Sequence, residues 1–172
     1  SNSTTPICNR PPGEITTTAI DITNHNLLEV SLFLATSNVN NIRWKNTDII
    51  NIQASINNGA YTTVGRFMGN AVAGGNLRID RNLDGILSSP ADDPATNVDV
   101  LNFTKYTFSI PGTGTTMRVK ILYDQCGGSE ELGTDLIEVR GTFSPLAIKL
   151  IDFNVRKNEK NQAEISWKVE DG

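Results

Sequence analysis

The sequence predicts an all-β fold, an antiparallel β-sandwich of two sheets. Three observations support this prediction. Segments in which apolar and polar residues alternate recur along the chain, as in half-buried strands. Turn sequences rich in Asn, Gly and Pro separate these segments. No long stretch repeats its apolar residues with the helical period of 3.6. The 172 residues suffice for one domain, or for one domain and part of a second.

The first 68 residues of the chain contain three predicted strands. Residues 28–36 form the first one. Residues 50–56 alternate isoleucine or alanine with polar residues, and an Asn-Asn-Gly sequence follows at 57–59. This sequence is typical of a hairpin turn, because Asn and Gly tolerate positive φ. Residues 60–68 are therefore predicted to return as the partner strand.

The second half contains three further predicted strands before residue 143. Residues 105–110 place Tyr, Phe and Ile on one face, and the Pro-Gly-Thr-Gly sequence at 111–114 turns the chain. Residues 117–123 then alternate again, and residues 134–140 form the last of the three. Short strands with turns between them favour a sandwich.

Residues 68–97 are rich in Gly, Pro and acids, and we interpret them as a long loop around a short strand near residues 77–79. Loops of this length are usually functional or ordered by an ion. The Asp-Arg-Asn-Leu-Asp-Gly sequence at 80–85 matches the first half of a calcium loop, with oxygen ligands two apart and a glycine for the sharp turn. The twelfth position is Ala91, so two aspartates just beyond it are expected to substitute. The predicted Ca²⁺ ligands are Asp80, Asn82, Asp84, Asp92 and Asp93. The alternative is a turn that caps its own backbone.

A second group of acids consists of Asp48, Glu130, Glu131 and Asp135. We interpret it as a solvated charge cluster, with a second calcium site or a buried structural carboxylate as the alternative. A glycosidase needs two carboxylates facing each other across a cleft. Adjacent glutamates point to opposite sides of a strand, so this group does not predict catalysis.

Trp44 lies between Arg43 and Lys45 in a polar stretch. An exposed Trp beside cations is suited to stacking on a sugar or an acidic glycan, and Tyr61 is a further candidate. The predicted ligand-binding residues are therefore Trp44, Arg43 and Tyr61. The alternative is a Trp that covers the end of the sandwich.

Composition argues against several classes of function. One histidine, His25, and two cysteines exclude His-rich metal centres, zinc ribbons and iron–sulfur clusters. No combination of base and nucleophile is visible, so the chain is predicted not to be an enzyme. The net charge of −4, without a Lys/Arg cluster, argues against nucleic acid as a partner. No apolar run is long enough to predict membrane insertion.

Cys8 and Cys126 are separated by more than a hundred residues and have no metal-like spacing. We predict a disulfide between them, with two free thiols in a reduced cytosol as the alternative. The chain begins with a polar stretch, so no signal peptide is expected in it. Abundant Asn and Thr resemble the surface of exported β-proteins, and the predicted location is extracellular or on the cell surface.

A domain boundary is predicted near residues 143–145, which divides the chain into 1–143 and 144–172. Residues 146–155 and 162–169 read as two strands joined by a polar turn. Two strands do not form a stable domain in water. We therefore expect a β-hairpin that opens a second β-domain and is cut off at Gly172. The alternative is that it packs on the first domain.

The segment SPLAIKLIDFNVRKNEKNQAEISWKVEDG at 144–172 resembles the start of the fibronectin type III-like domain common in type IX-secreted bacterial proteins. Phe153, a polar Lys/Asn turn and Trp167 hold the places expected in that family. The resemblance implies that further domains belong to the same polypeptide.

Residues 1–143 resemble the jelly-roll β-sandwich accessory modules of large secreted bacterial surface proteins. The motifs are INNGAY at 56–61, VGRF at 64–67 and GGSEELGTDLIEV at 127–139. The resemblance implies a jelly roll and a non-catalytic accessory module, often adhesive or sugar-binding. We therefore expect a secreted binding or adhesion module that is calcium-stabilised and recognises a polysaccharide or glycan. The alternative is a structural spacer with no ligand other than calcium.

Overall fold

The structure is a computed structural model that describes residues 11–37, 44–70, 75–87, 98, 101–125, 131–144 and 149–170. The chain divides into two compact units, Ser1–Thr142 and Phe143–Gly172. All of its described regular structure is β-strand, so the all-β prediction is confirmed. In the described part of the chain, no helix is long and apolar enough to cross a membrane.

Within the described residues, the larger sheet of the first unit contains six strands. They are β1 (Gly13–Thr16), β2 (Ile20–Asp21), β4 (Ile49–Ile56), β5 (Thr62–Gly69), β6 (Leu77–Asp80) and β8 (Thr116–Asp124). Their order is β1-β8-β4-β5-β6, and β2 pairs with β8 beside this path. Asn57 and Asn58 turn the chain between β4 and β5 with φ of 51° and 57°, as the hairpin prediction requires.

In the part of the chain that the structure describes, the smaller sheet contains three strands, in the order β7-β3-β9. They are β3 (His25–Ser37), β7 (Thr104–Ile110) and β9 (Glu131–Phe143). Alternation along β3 places Leu28, Val30, Leu32 and Leu34 in the core. The central position of β3 explains why its apolar residues are so completely buried.

One hydrophobic core joins the two sheets. Ile50 and Ile52 enter it from the larger sheet, and Leu32 enters from the smaller one. The Phe67 ring meets the rings of Tyr106 and Phe108 edge-on, at centroid distances of 4.9 and 5.8 Å. Such geometry places positive ring edges against negative ring faces. Phe67 therefore links β5 to β7 across the sandwich.

The second unit is described as a hairpin of β10 (Lys149–Lys157) and β11 (Ala163–Glu170). Phe153 pairs with Trp167 and Val155 pairs with Ile165. These four side chains share one face of the hairpin, and each is more than half exposed. The opposite face carries polar pairs, including the ion pair of Arg156 and Glu164 at 2.9 Å.

The sequence analysis located the longer strands but missed β1 and β2. All four residues of β1 are exposed, so this strand has no buried apolar face to generate an alternating pattern. Its place in the sheet comes from pairing with β8, in which Ile15 lies opposite Ile121. The short strand expected near 77–79 is confirmed as β6.

Candidate functional site

The predicted calcium-loop sequence begins at the last residue of β6 and continues into the turn that follows. Three neighbouring strands place Asn51, Arg66 and Asp80 in one row, because Asn51 pairs with Arg66 and Arg66 pairs with Asp80. Buried neighbours such as Phe67 and Ile79 point into the core, so alternation directs this row to the outer face of the sheet.

Asp80 is fully buried, with 0% of its surface exposed. Its Oδ2 accepts hydrogen bonds from the Gly85 backbone N–H at 3.0 Å and from Arg66 Nη1 at 3.2 Å. Its Oδ1 is also buried, and among the residues that the structure describes it has no hydrogen-bond partner. A buried carboxylate oxygen without a partner is unfavourable, because this oxygen has lost its hydrogen bonds to water and has formed none with the protein. This oxygen is therefore suited to an additional cation.

The turn that covers Asp80 is closed by its own side chains. Asn82 Oδ1 accepts from the Asp84 N–H at 3.1 Å, and Asp84 Oδ1 accepts from the Ile86 N–H at 2.7 Å. Asn82 Nδ2 also donates to Asp84 Oδ2 at 2.8 Å. Leu83 and Gly85 take positive φ of 61° and 81°, so the chain curls tightly around the predicted ligand positions.

These contacts are compatible with both interpretations of the loop sequence. The backbone-capping alternative accounts for the bonds of Asn82 and Asp84, but it leaves Asp80 Oδ1 unexplained. Ca²⁺ prefers carboxylate, amide and carbonyl oxygens, and Asp80, Asn82 and Asp84 supply such atoms within one turn. Among the described residues, no group of three His, Cys, Asp or Glu side chains could hold a metal ion. Asp92 and Asp93 lie outside the described residues, so the complete ligand set stays a prediction.

Arg66 connects β4, β6 and the turn after β6 through hydrogen bonds of its side chain, and the sequence pattern did not identify it. Its Nη1 donates to Asp80 Oδ2 and to the Leu83 carbonyl oxygen, both at 3.2 Å, while Nε donates to Asn51 Oδ1 at 3.0 Å. Leu83, whose carbonyl accepts one of these bonds, has a positive φ of 61°. Sequence alternation could place Arg66 on the outer face of β5, but only the β5–β6 register identifies its partner.

The second acidic group does not form one site among the residues described. Asp48 is fully buried in the turn before β4, where its Oδ2 accepts from the Lys45 N–H at 2.6 Å. Glu131 and Asp135 are exposed on β9, in the other sheet. Asp48 therefore fits the structural-carboxylate interpretation. Glu130 lies outside the described residues.

The prediction that Trp44 is an exposed stacking platform is wrong. Only 4% of its surface is exposed, and it belongs to the core. Its backbone pairs with Gly75 through two hydrogen bonds of 2.8 and 3.0 Å, while Lys45 and Asn46 are exposed. Burial of the large indole removes more apolar area from water than any neighbouring residue would. The alternative, in which the indole covers the sandwich, fits this position.

Tyr61 is half-buried just before β5. The Nζ of Lys120 lies 4.2 Å from its ring centroid, so a cation already occupies one face of the ring. Gly69, at the other end of β5, lies against Lys45. The seven residue steps from Thr62 to Gly69 separate Tyr61 from the Trp44 region by about 23 Å. The structure therefore does not bring these two aromatic residues together.

Several further predicted residues lie outside the described part of the chain. They are Arg43, Cys8 and Cys126, so the disulfide stays a prediction. His25 is described, and its Nδ1 lies 2.8 Å from the Thr23 carbonyl oxygen. Because a carbonyl oxygen only accepts, Nδ1 carries the proton in this contact.

Comparisons with known proteins add no assignment. No family model matches the chain, and a search of curated proteins finds no match.

Proposed function

We propose that residues 1–143 are a non-catalytic, calcium-stabilised β-sandwich module of a secreted or cell-surface protein. One observation carries the calcium proposal. Asp80 is fully buried and keeps one oxygen without a partner, beneath a turn with the Asp-x-Asn-x-Asp-Gly sequence. A bound Ca²⁺ would complete the coordination of that oxygen and would stabilise the turn. Its role would be structural, because it would tie the loop after β6 to the sheet.

The jelly-roll assignment is supported by the strand order. From β3 to β9 the chain runs from the smaller sheet to three strands of the larger one, and then alternates between sheets at β7, β8 and β9. β8 lies between β1 and β4, so neither of its two neighbours on this path is adjacent to it in the sequence. This connectivity is typical of Greek-key and jelly-roll sandwiches.

For residues 144–172 we propose the opening hairpin of a fibronectin type III-like domain. The exposed apolar face of β10 and β11 supports this assignment, because a continuous apolar surface favours contact with further strands. In this proposal, other domains of the same polypeptide are the principal partners of the chain.

Calcium binding is tested by thermal unfolding in calcium and in chelator. Calcium at about 100 times its Kd should stabilise the folded state by about 2.7 kcal/mol, which corresponds to a rise in Tm of about 5–10 °C for a protein of this size. The Asp84→Ala variant should lose this rise. Asp21→Ala is the matched control, since Asp21 also caps a turn by accepting from the Thr23 N–H at 2.9 Å. An equal calcium effect in wild type and Asp84→Ala would contradict the site.

Carbohydrate recognition is the second proposed function, and Tyr61 is the described aromatic residue that supports it. It requires that a sugar displace Lys120 or stack on the opposite ring face. A polysaccharide and glycan binding screen, run in calcium and again in chelator, tests this proposal. Binding that is abolished by Tyr61→Ala would support it. Complete absence of binding, with a Tm that still rises in calcium, would favour the structural-spacer alternative.

A further inference from the structure

The guanidinium of Arg66 already occupies part of the space in which the loop oxygens converge. Its Nη1 lies 3.2 Å from both Asp80 Oδ2 and the Leu83 carbonyl oxygen. The Arg66 side chain is only 23% exposed, and arginine keeps its charge at all physiological pH values. The guanidinium of Arg66, which extends from β5, is therefore a cation already bound to the loop. We call it the internal cation.

This internal cation stabilises the loop when no metal is bound. A buried carboxylate is stabilised by a nearby positive charge and by hydrogen-bond donors, and Arg66 supplies a charge and one hydrogen bond to Asp80, at 3.2 Å. It also binds the carbonyl of Leu83, a residue whose positive φ is unfavourable for a side chain with a Cβ.

The same charge opposes a second cation at Asp80. A Ca²⁺ bound to Oδ1 at about 2.4 Å would share one carboxylate with the guanidinium, which lies 3.2 Å from Oδ2. The two charges would then be within about 8 Å of each other. Even at the dielectric constant of water, repulsion over this distance weakens binding by about fivefold.

We propose that Arg66 sets the calcium affinity of this site by holding the loop closed without an ion and by repelling the ion that binds. The inference rests on the calcium site proposed above. It predicts that the site binds Ca²⁺ about fivefold more weakly than the same loop would without the guanidinium charge. Arg66 is in this sense an affinity-determining residue rather than a ligand.

The experiment is calorimetric titration of the whole chain with Ca²⁺, at low and at high ionic strength. Arg66→Gln removes the charge and keeps a hydrogen-bond donor, whereas Arg66→Lys keeps the charge. We expect Arg66→Gln to bind Ca²⁺ at least about fivefold more tightly than wild type at low ionic strength, and this difference should shrink as salt screens the repulsion. Arg66→Lys should remain close to wild type.

The outcomes separate the inference from the site itself. If neither wild type nor Arg66→Gln binds Ca²⁺, the calcium site is wrong and the inference falls with it. If wild type binds and Arg66→Gln binds equally or more weakly, the site stands and the role of Arg66 is overturned. An Arg66→Gln chain that unfolds in chelator but folds in calcium would support the inference, and one that unfolds in both would contradict it.

Discussion

Phe67 in the sandwich and Phe153 in the hairpin have similar sequence surroundings but different environments. Both lie in strands of alternating character. Phe67 is 0% exposed and contacts two rings of the opposite sheet, whereas Phe153 is 58% exposed on the hairpin face. Alternation therefore specifies which residues share a face of a strand. It does not specify what covers that face.

Truncation of the two phenylalanines gives the largest expected effect. Phe67→Ala should lower the free energy of unfolding by about 3–5 kcal/mol, because it leaves a cavity beneath Tyr106 and Phe108. Phe153→Ala, the matched control, should change it by no more than about 0.5 kcal/mol. Denaturant unfolding followed by circular dichroism measures both. If both variants lost the same free energy of unfolding, the Phe153 side chain would have to be covered in solution.

A glycine substitution gives a smaller test of packing in the sandwich. A Cβ on Gly65 would lie 2.6 Å from the Phe108 ring, so Gly65→Ala must displace an aromatic side chain in the core. We expect a loss of about 1–3 kcal/mol. In Gly13→Ala the new Cβ would meet its nearest atom at an ordinary 3.9 Å, and this control should unfold like wild type. A Gly65→Ala variant with the same free energy of unfolding as wild type would show that the two sheets separate easily.

The smallest expected effect comes from removing one ion pair in each of the two regions. On β9, Glu138 accepts from Arg140 at 2.8 Å and from Lys105 at 3.1 Å. These hydrogen bonds, first that of Arg140 and then that of Lys105, lower the pKa of the Glu138 carboxyl below its usual value. Its contribution to stability is therefore present at neutral pH, above the unfolded pKa, and is lost as the pH falls through the lowered folded pKa.

The corresponding experiment compares Glu138→Gln with Glu164→Gln in the hairpin. Glu138→Gln should lower the Tm slightly at neutral pH, and its difference from wild type should vanish in strong acid. Glu164→Gln should leave the Tm unchanged, because the side chains of Arg156 and Glu164 are 72% and 48% exposed and exposed pairs contribute little. A Glu138→Gln difference that is constant with pH would contradict this account.

The candidate site was predicted only in part. The spacing of Asp80, Asn82 and Asp84 located the loop, because calcium loops have a short, local sequence pattern. Arg66 and Asn51 are distant from that pattern in sequence, and their contacts with it depend on strand register. Trp44 was misassigned because its charged neighbours suggested exposure. A residue flanked by polar side chains can still point inward when a single bridge to Gly75 fixes its backbone.

The sequence by itself determined the strand class of this protein, most of its strand positions and the turn at Asn57 and Asn58, because these features arise from local periodicity and from residues that tolerate positive φ. Only the tertiary structure decided which strands are neighbours, which side chains the core covers and which cation accompanies Asp80. These properties depend on contacts between segments far apart in the chain, and local alternation carries no information about such partners.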